Sequence, residues 1–216
     1  MSRSQEAPEF VTGEQRETAR EGGTRWRRFA ATMAGAAAVA AGLVVLTAQG
    51  VLAVSFKISG MPFVVAADRL DGVGFEQFAT LDEMVEGSPN AGDTGGQVVV
   101  VVSAIREATL TNLCQEINLG GINLLITAGN KGTPVRATNL VVDGDEILGN
   151  ATFDNISIGQ DSSTLDKVPG VIGNPGVFGQ QADRVVITDL RQNNYATTAG
   201  SFRLPNLHLR FTQDSC

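Results

Sequence analysis

Beyond residue 55 the apolar residues fall mostly on alternate positions, and no stretch there keeps the three-to-four spacing of a long helix face. The alternation predicts an all-β domain. Phe56, Ile58, Phe63 and Val65 predict a first hairpin turning near Gly60, and the unbroken β-branched run from Val98 to Val102 predicts a strand covered on both faces. Further strands are predicted over residues 117–127, 135–143, 147–158, 185–190 and 202–211, separated by turn chemistry at Gly120-Gly121, Gly129-Asn130 and Asp143-Gly144-Asp145. Residues 82–96 and 169–179 predict longer loops from their Gly, Pro, Ser, Asn and Asp content. Antiparallel sheets arranged as a sandwich or jelly roll fit this order best, with a β-solenoid second. The solenoid rests on a weak echo: Thr111-Asn112-Leu113, Thr138-Asn139-Leu140, Ser163-Thr164-Leu165 and Thr188-Asp189-Leu190 fall 27, 25 and 25 residues apart. Three residues per copy also recur by coincidence.

The start of the chain follows another rule. Residues 29–56 carry no charged side chain and follow directly on Arg25, Arg27 and Arg28, the boundary of an export signal; the arginines stay in the cytoplasm and everything after about Ser55 is expected outside. Leu43, Val44, Val45, Leu46, Val51 and Leu52 form an apolar core of signal-peptide size, with small-residue cleavage sites after Ala53 and at Ala48-Gln49-Gly50. Uncleaved, the same hydrophobic helix is a single-pass membrane anchor with the C-terminus outside; cleaved, the domain is secreted. Arg27-Arg28 followed by Phe29 resembles a twin-arginine signal that lacks the usual intervening residue, so the export route stays open. Residues 1–24 hold few large apolar side chains and predict a disordered cytoplasmic tail. The organisation expected is therefore a tail over 1–24, a signal or anchor over 25–54, and an extracytoplasmic β domain over 55–216.

Charge narrows the partners. From Ser55 onward 10 Lys and Arg stand against 18 Asp and Glu, a net of −8, whereas the first 54 residues carry 6 against 5. An acidic body is a poor match to nucleic acid or anionic headgroups. The only cysteines are Cys114 and Cys216, and an even pair in an exported domain predicts a disulfide tying the last residue to the middle of the chain. Two cysteines with no histidine nearby make no metal site, and no cofactor motif is present.

Several groupings invite chemistry. Asp143, Asp145 and Glu146 surround Gly144 and offer calcium ligands, but the twelve-residue hand spacing is missing and a hairpin turn explains them better. Asn150-Ala151-Thr152 and Asn155-Ile156-Ser157 are formal glycosylation sequons, a pattern frequent by chance. Gln180, Gln181, Gln192, Asn193, Asn194 and Tyr195 gather amides beside an aromatic, a set suited either to sugar or partner backbone or to hydrogen bonding inside a β layer.

The segments Ala137-Thr138-Asn139-Leu140, Gly149-Asn150-Ala151-Thr152-Phe153-Asp154-Asn155-Ile156-Ser157-Ile158-Gly159-Gln160-Asp161, Phe178-Gly179-Gln180-Gln181-Ala182-Asp183 and Ala196-Thr197-Thr198-Ala199-Gly200-Ser201-Phe202 resemble an actinobacterial, streptomycete-type family of exported proteins of unknown function. The resemblance reaches upstream to Gly23-Thr24-Arg25-Trp26. It implies an actinobacterial envelope setting and, because some such proteins carry the label cholesterol esterase, raises ester hydrolysis; it supplies no catalytic residue.

A serine hydrolase needs an activated Ser, a base and a group orienting that base, often with a Gly-x-Ser-x-Gly elbow. The chain has no such elbow. Its single histidine, His208, alternates with Leu207 and Leu209 in a predicted strand and is the one available base, for Ser162, Ser163 or Ser201, with Asp161 or Asp189 as orienter. Three functions remain: a non-enzymatic envelope protein binding a partner or envelope component, an esterase-like hydrolase working through His208, and a carrier holding a lipid or sterol between its β layers.

Overall fold

The computed structural model describes residues 57–216 together with Ala30 and Met33, both helical. The chain divides into units of residues 1–43 and 44–216. The expected tail, Arg25, Arg27 and Arg28, and the signal or anchor segment up to Val54 lie outside the described residues, save those two positions.

Residues 57–216 are all β, as the alternation predicts. Nine strands are described: β1 (Phe63–Glu83), β2 (Gln97–Thr111), β3 (Leu113–Asn118), β4 (Asn123–Ala128), β5 (Val135–Asp154), β6 (Ser157–Asp161), β7 (Phe178–Thr198), β8 (Ser201–Arg203) and β9 (His208–Thr212). They form one sheet in the order β6-β7-β5-β2-β1-β3-β4-β9, with β8 on β5 and a further ladder between β7 and β1. That last ladder closes a ring. β1 pairs with β2, β2 with β5, β5 with β7 and β7 with β1, all antiparallel. The expected pair of facing sheets is therefore replaced by one sheet curled on itself, and the solenoid is excluded because its coils would need parallel ladders. Sandwich and barrel bury the same alternate residues, so alternation does not separate them.

Bending makes the closure possible. The long strands run 21, 15, 20 and 21 residues, well beyond the usual five or six. They turn at left-handed residues, and the sequence echo marks them: Asn112, Asn139 and Asp189 have φ of 53°, 46° and 55°. Asn and Asp tolerate this conformation better than other side-chain-bearing residues. At Asn139 the ladder lapses without changing register: Ile105 pairs with Leu140 and Glu107 with Thr138, so Asn139 and Arg106 face each other unpaired; at Asp189 the β5–β7 register shifts between Leu148 and Asn150; and Asn112 lies between β2 and β3. The shift at Asp189 is a β-bulge, which bends and twists a strand. The following leucines, Leu113, Leu140 and Leu190, are buried in the core. The fourth copy departs: Thr164 sits in a 3-10 turn, Ser162–Thr164.

The ring encloses the main core, with Leu70 and Phe75 of β1, Ile105 and Leu110 of β2, Val135 and Leu140 of β5, and Val185 and Leu190 of β7. Burying each such side chain stabilises by roughly 1.5–3 kcal/mol. Two expected turns are corrected. Asp143-Gly144-Asp145 is a bulge inside β5, so the strands predicted over 135–143 and 147–158 are one. A Cβ on Gly144 would lie 2.6 Å from the Asn193 carbonyl oxygen, so the glycine serves close strand approach rather than a turn. Gly60 turns no hairpin either: Ile58 forms a single parallel bridge to Met84, and β1 begins after it.

Candidate functional site

The acidic triplet and the amide cluster, nearly fifty residues apart in sequence, meet across the β5–β7 ladder. Asp145 accepts hydrogen bonds from Asn193 Nδ2 at 2.7 Å and from the Tyr195 hydroxyl at 3.2 Å. On the inward side of the same strands, Gln192 and Asn194 are buried, and Asn194 Nδ2 donates to Gln192 Oε1 at 3.3 Å. Gln180 Nε2 donates to Gln77 Oε1 at 2.5 Å, and Gln77 Nε2 to Ser103 Oγ at 2.9 Å. Gln77, Ser103, Gln192 and Asn194 line a cleft of about 140 Å³ together with Asp145, Glu146 and Ile147. Most of the amide cluster thus works inside a β layer. Gln181 does so elsewhere, its Oε1 accepting from the Asp166 amide.

Two acidic groups lie deeper. Glu76 is wholly buried; its Oε1 accepts from the Val168 amide at 2.6 Å, its Oε2 has no partner, and burial raises its pKa. Together with Gln181 it grips the long loop before β7. Asp143 has its carboxyl pushed up to about 7 by burial and by the negative charge of Asp82, whose own pKa burial also raises. This charge interaction was not legible in the sequence, because Asp82 and Asp143 are about sixty residues apart and only the folded sheet brings them near. The calcium ligands do not converge: Asp145 is taken up by Asn193 and Tyr195, while Asp143 is buried and feels the charge of Asp82. Among the described residues no three His, Cys, Asp or Glu gather as a metal cage requires.

The hydrolase candidates are scattered. Ser162 is buried and donates through Oγ to the Asn174 carbonyl at 2.8 Å; Ser163 Oγ donates to Asp161 at 2.7 Å, capping the 3-10 turn. Ser201 Oγ bonds Thr138 Oγ1 at 2.7 Å, and Asp189 accepts from Asn150. His208 is exposed on β9, at the far end of the sheet order. No hydrogen bond joins it to any of these serines or aspartates among the described residues. The geometry lacks the nucleophile–base contact that acyl transfer uses.

The interior also bears on ligand carriage. The gap beneath the cleft, lined by Val65, Leu70, Ile105 and Leu113, holds about 40 Å³. A cavity that admits benzene is about 150 Å³. The ring interior is a closed core.

The two cysteines meet as predicted: Cys114 and Cys216 are disulfide-bonded, with Cα atoms 5.8 Å apart. Cys216 N donates to Glu116 Oε2 and Asn123 Nδ2 donates to the Asp214 carbonyl, so the C-terminal tail is laid across one face of the arm formed by β3, β4 and β9. That face holds Leu125, buried beneath it. The arm's other face is bare. Ile117, Leu124 and Phe211 align across the three strands, as do Gln115, Ile126 and Leu209. Leu209 is 54 % and Phe211 63 % exposed.

A family model matches residues 59–216, the whole domain from the residue after the Ile58 bridge. The chain belongs to DUF6230, a family of unknown function. The matched DUF6230 region contains both cysteines, the cleft and the bare arm. Neither a curated protein nor a solved structure matches the chain.

Proposed function

We propose that this DUF6230 protein is a non-enzymatic protein of the actinobacterial cell envelope that binds another protein or an envelope component through the open face of its β3–β4–β9 arm. The observation that carries the proposal is the arm: one face sealed by a disulfide-held tail, the other apolar and uncovered, on strands that end the sheet. Contiguous apolar patches of this kind mark interaction sites. Export rests on the basic-to-apolar boundary at Arg25, Arg27, Arg28 and Phe29, and the Cys114–Cys216 bridge fits an oxidising compartment. The membrane is a partner through residues 29–54 when these are uncleaved; otherwise the domain is released.

Protease added to intact cells tests the location. The β domain is expected to be digested while cytoplasmic markers survive; protection of the domain overturns the proposal. Non-enzymatic action is tested separately, since any ester hydrolysis by the purified protein that is lost in His208→Ala restores the hydrolase.

A further inference from the structure

We infer that the partner seated on the bare arm is a second copy of this chain, packed face to face. The inference rests on the proposed use of the arm for binding and names its occupant. From Ile117 to Asn130 no residue is charged. By strand alternation Leu119 and Ile122, at the β3–β4 hairpin tip, share the face with Ile117, Leu124 and Phe211. Inward along the same face, Leu113 pairs with Ala128, and both are buried in the main core. The core face therefore continues out of the ring onto the arm, with Gln115 its one polar member on β3 and β4, and its burial declines as the covering strands end. It has the composition of a core and lacks the second layer.

Self-association supplies that layer without electrostatic conflict. The charged neighbours on the arm strands, Glu116 and Arg210, belong with His208 to the opposite face, where the tail lies. Two acidic molecules would otherwise repel, but the surfaces that meet carry no charge, and a two-fold contact sets each patch on its own copy. The exposed portions of Leu119, Ile122, Leu207, Leu209 and Phe211 amount to on the order of 500 Å² per copy, and the half-buried Ile117, Leu124 and Ile126 bring this toward the roughly 800 Å² per partner of a standard interface. Two such faces pack about 10 Å apart. Leu81, Val99 and Val101 form another exposed apolar strip, but it borders Asp145 and Glu146 at the cleft, so self-pairing there would oppose like charges.

Cysteine cross-linking of the full-length chain in its host membrane tests this, using two differently tagged copies and a membrane-permeant bis-maleimide. Phe211→Cys and, as a second reporter, Leu209→Cys should each give a covalent dimer carrying both tags, several-fold more than Arg210→Cys on the opposite face. Adding Leu209→Glu to Phe211→Cys should reduce the dimer to the Arg210→Cys level; both positions are exposed enough to leave the fold intact, which an unreacted Cys114–Cys216 pair verifies. Equal yields at Phe211→Cys and Arg210→Cys, or no double-tagged dimer at either reporter, overturn the inference. Because the reagent crosses membranes, this outcome is independent of the location test. Adducts of Phe211→Cys to a different protein would leave the binding function standing and remove the second copy.

Discussion

The phenol of Tyr195 donates to Asp145 Oδ2 across the β5–β7 ladder, 3.2 Å away. Burial raises the Tyr195 pKa first, and the neighbouring Asp145 charge and hydrogen bond raise it further. Tyr195 is the only tyrosine in the chain, so its ionisation can be followed by tyrosinate absorbance. It should titrate above the ordinary phenol value of about 10. Asp145→Asn should move the titration back toward that value while Asn193→Ala moves it less; an unchanged titration in Asp145→Asn would show that burial alone sets it.

Asp143 makes stability depend on pH in a defined direction. Its carboxyl, pushed up to about 7 in the fold from the ordinary 3.8, holds a proton in the native state that the unfolded chain releases. The contribution is complete below about 3.8 and is lost as pH rises through about 7. The domain should therefore be weaker by about 1–2 kcal/mol at pH 8 than at pH 5, allowing for partial solvation. Urea unfolding at the two pH values reads this, and Asp143→Asn should flatten the difference.

Left-handed residues within the strands predict an unusual ranking of substitutions. Asn139→Ala should destabilise by about 1 kcal/mol, because alanine is disfavoured in the left-handed region that Asn139 occupies, whereas Asn139→Gly should be nearly neutral. Thermal midpoints of the two variants test the order. Asp189→Gly should behave like Asn139→Gly only after allowance for its lost bond to Asn150.

Reduction of Cys114–Cys216 should release the tail from the arm and expose Leu125. The bridge closes a separation of 102 residues, for which the chain-entropy account gives up to about 4.7 kcal/mol. Denaturant midpoints with and without reductant measure the loss, and Cys216→Ser should reproduce it without reductant.

Glu76→Ala should destabilise by several kcal/mol, since Val168 N loses its acceptor in a buried site. Glu76→Gln keeps an acceptor oxygen and relieves the charge that burial disfavours, and should be tolerated better. Unfolding curves of the two variants distinguish them; equal losses would mean that the carboxylate itself is required.

Much of the architecture was legible along the chain because β structure writes itself locally. Alternation gave the all-β class, and the Pro/Gly stretch before β7 gave its loop. The cysteine pair gave the disulfide because two cysteines permit one intramolecular pairing. The turn at Asp143-Gly144-Asp145 misled, because glycine is needed equally where a chain reverses and where two backbones crowd together. His208 stood out as the lone base, yet a catalytic base is defined by what lies within hydrogen-bond reach, and strand order puts it on an edge.

Residue order along the chain fixed the period-two alternation and the acidic balance, both properties that need no knowledge of which strands pair. Folding in three dimensions settled which strands pair, that β7 returns to β1 and closes the ring, that Asp145 meets Tyr195 and Asp143 comes within reach of the charge on Asp82, and that one face of the arm is sealed while the other stays open. These depend on contacts between distant residues, whose closure entropy and packing belong to the whole chain and leave no local mark.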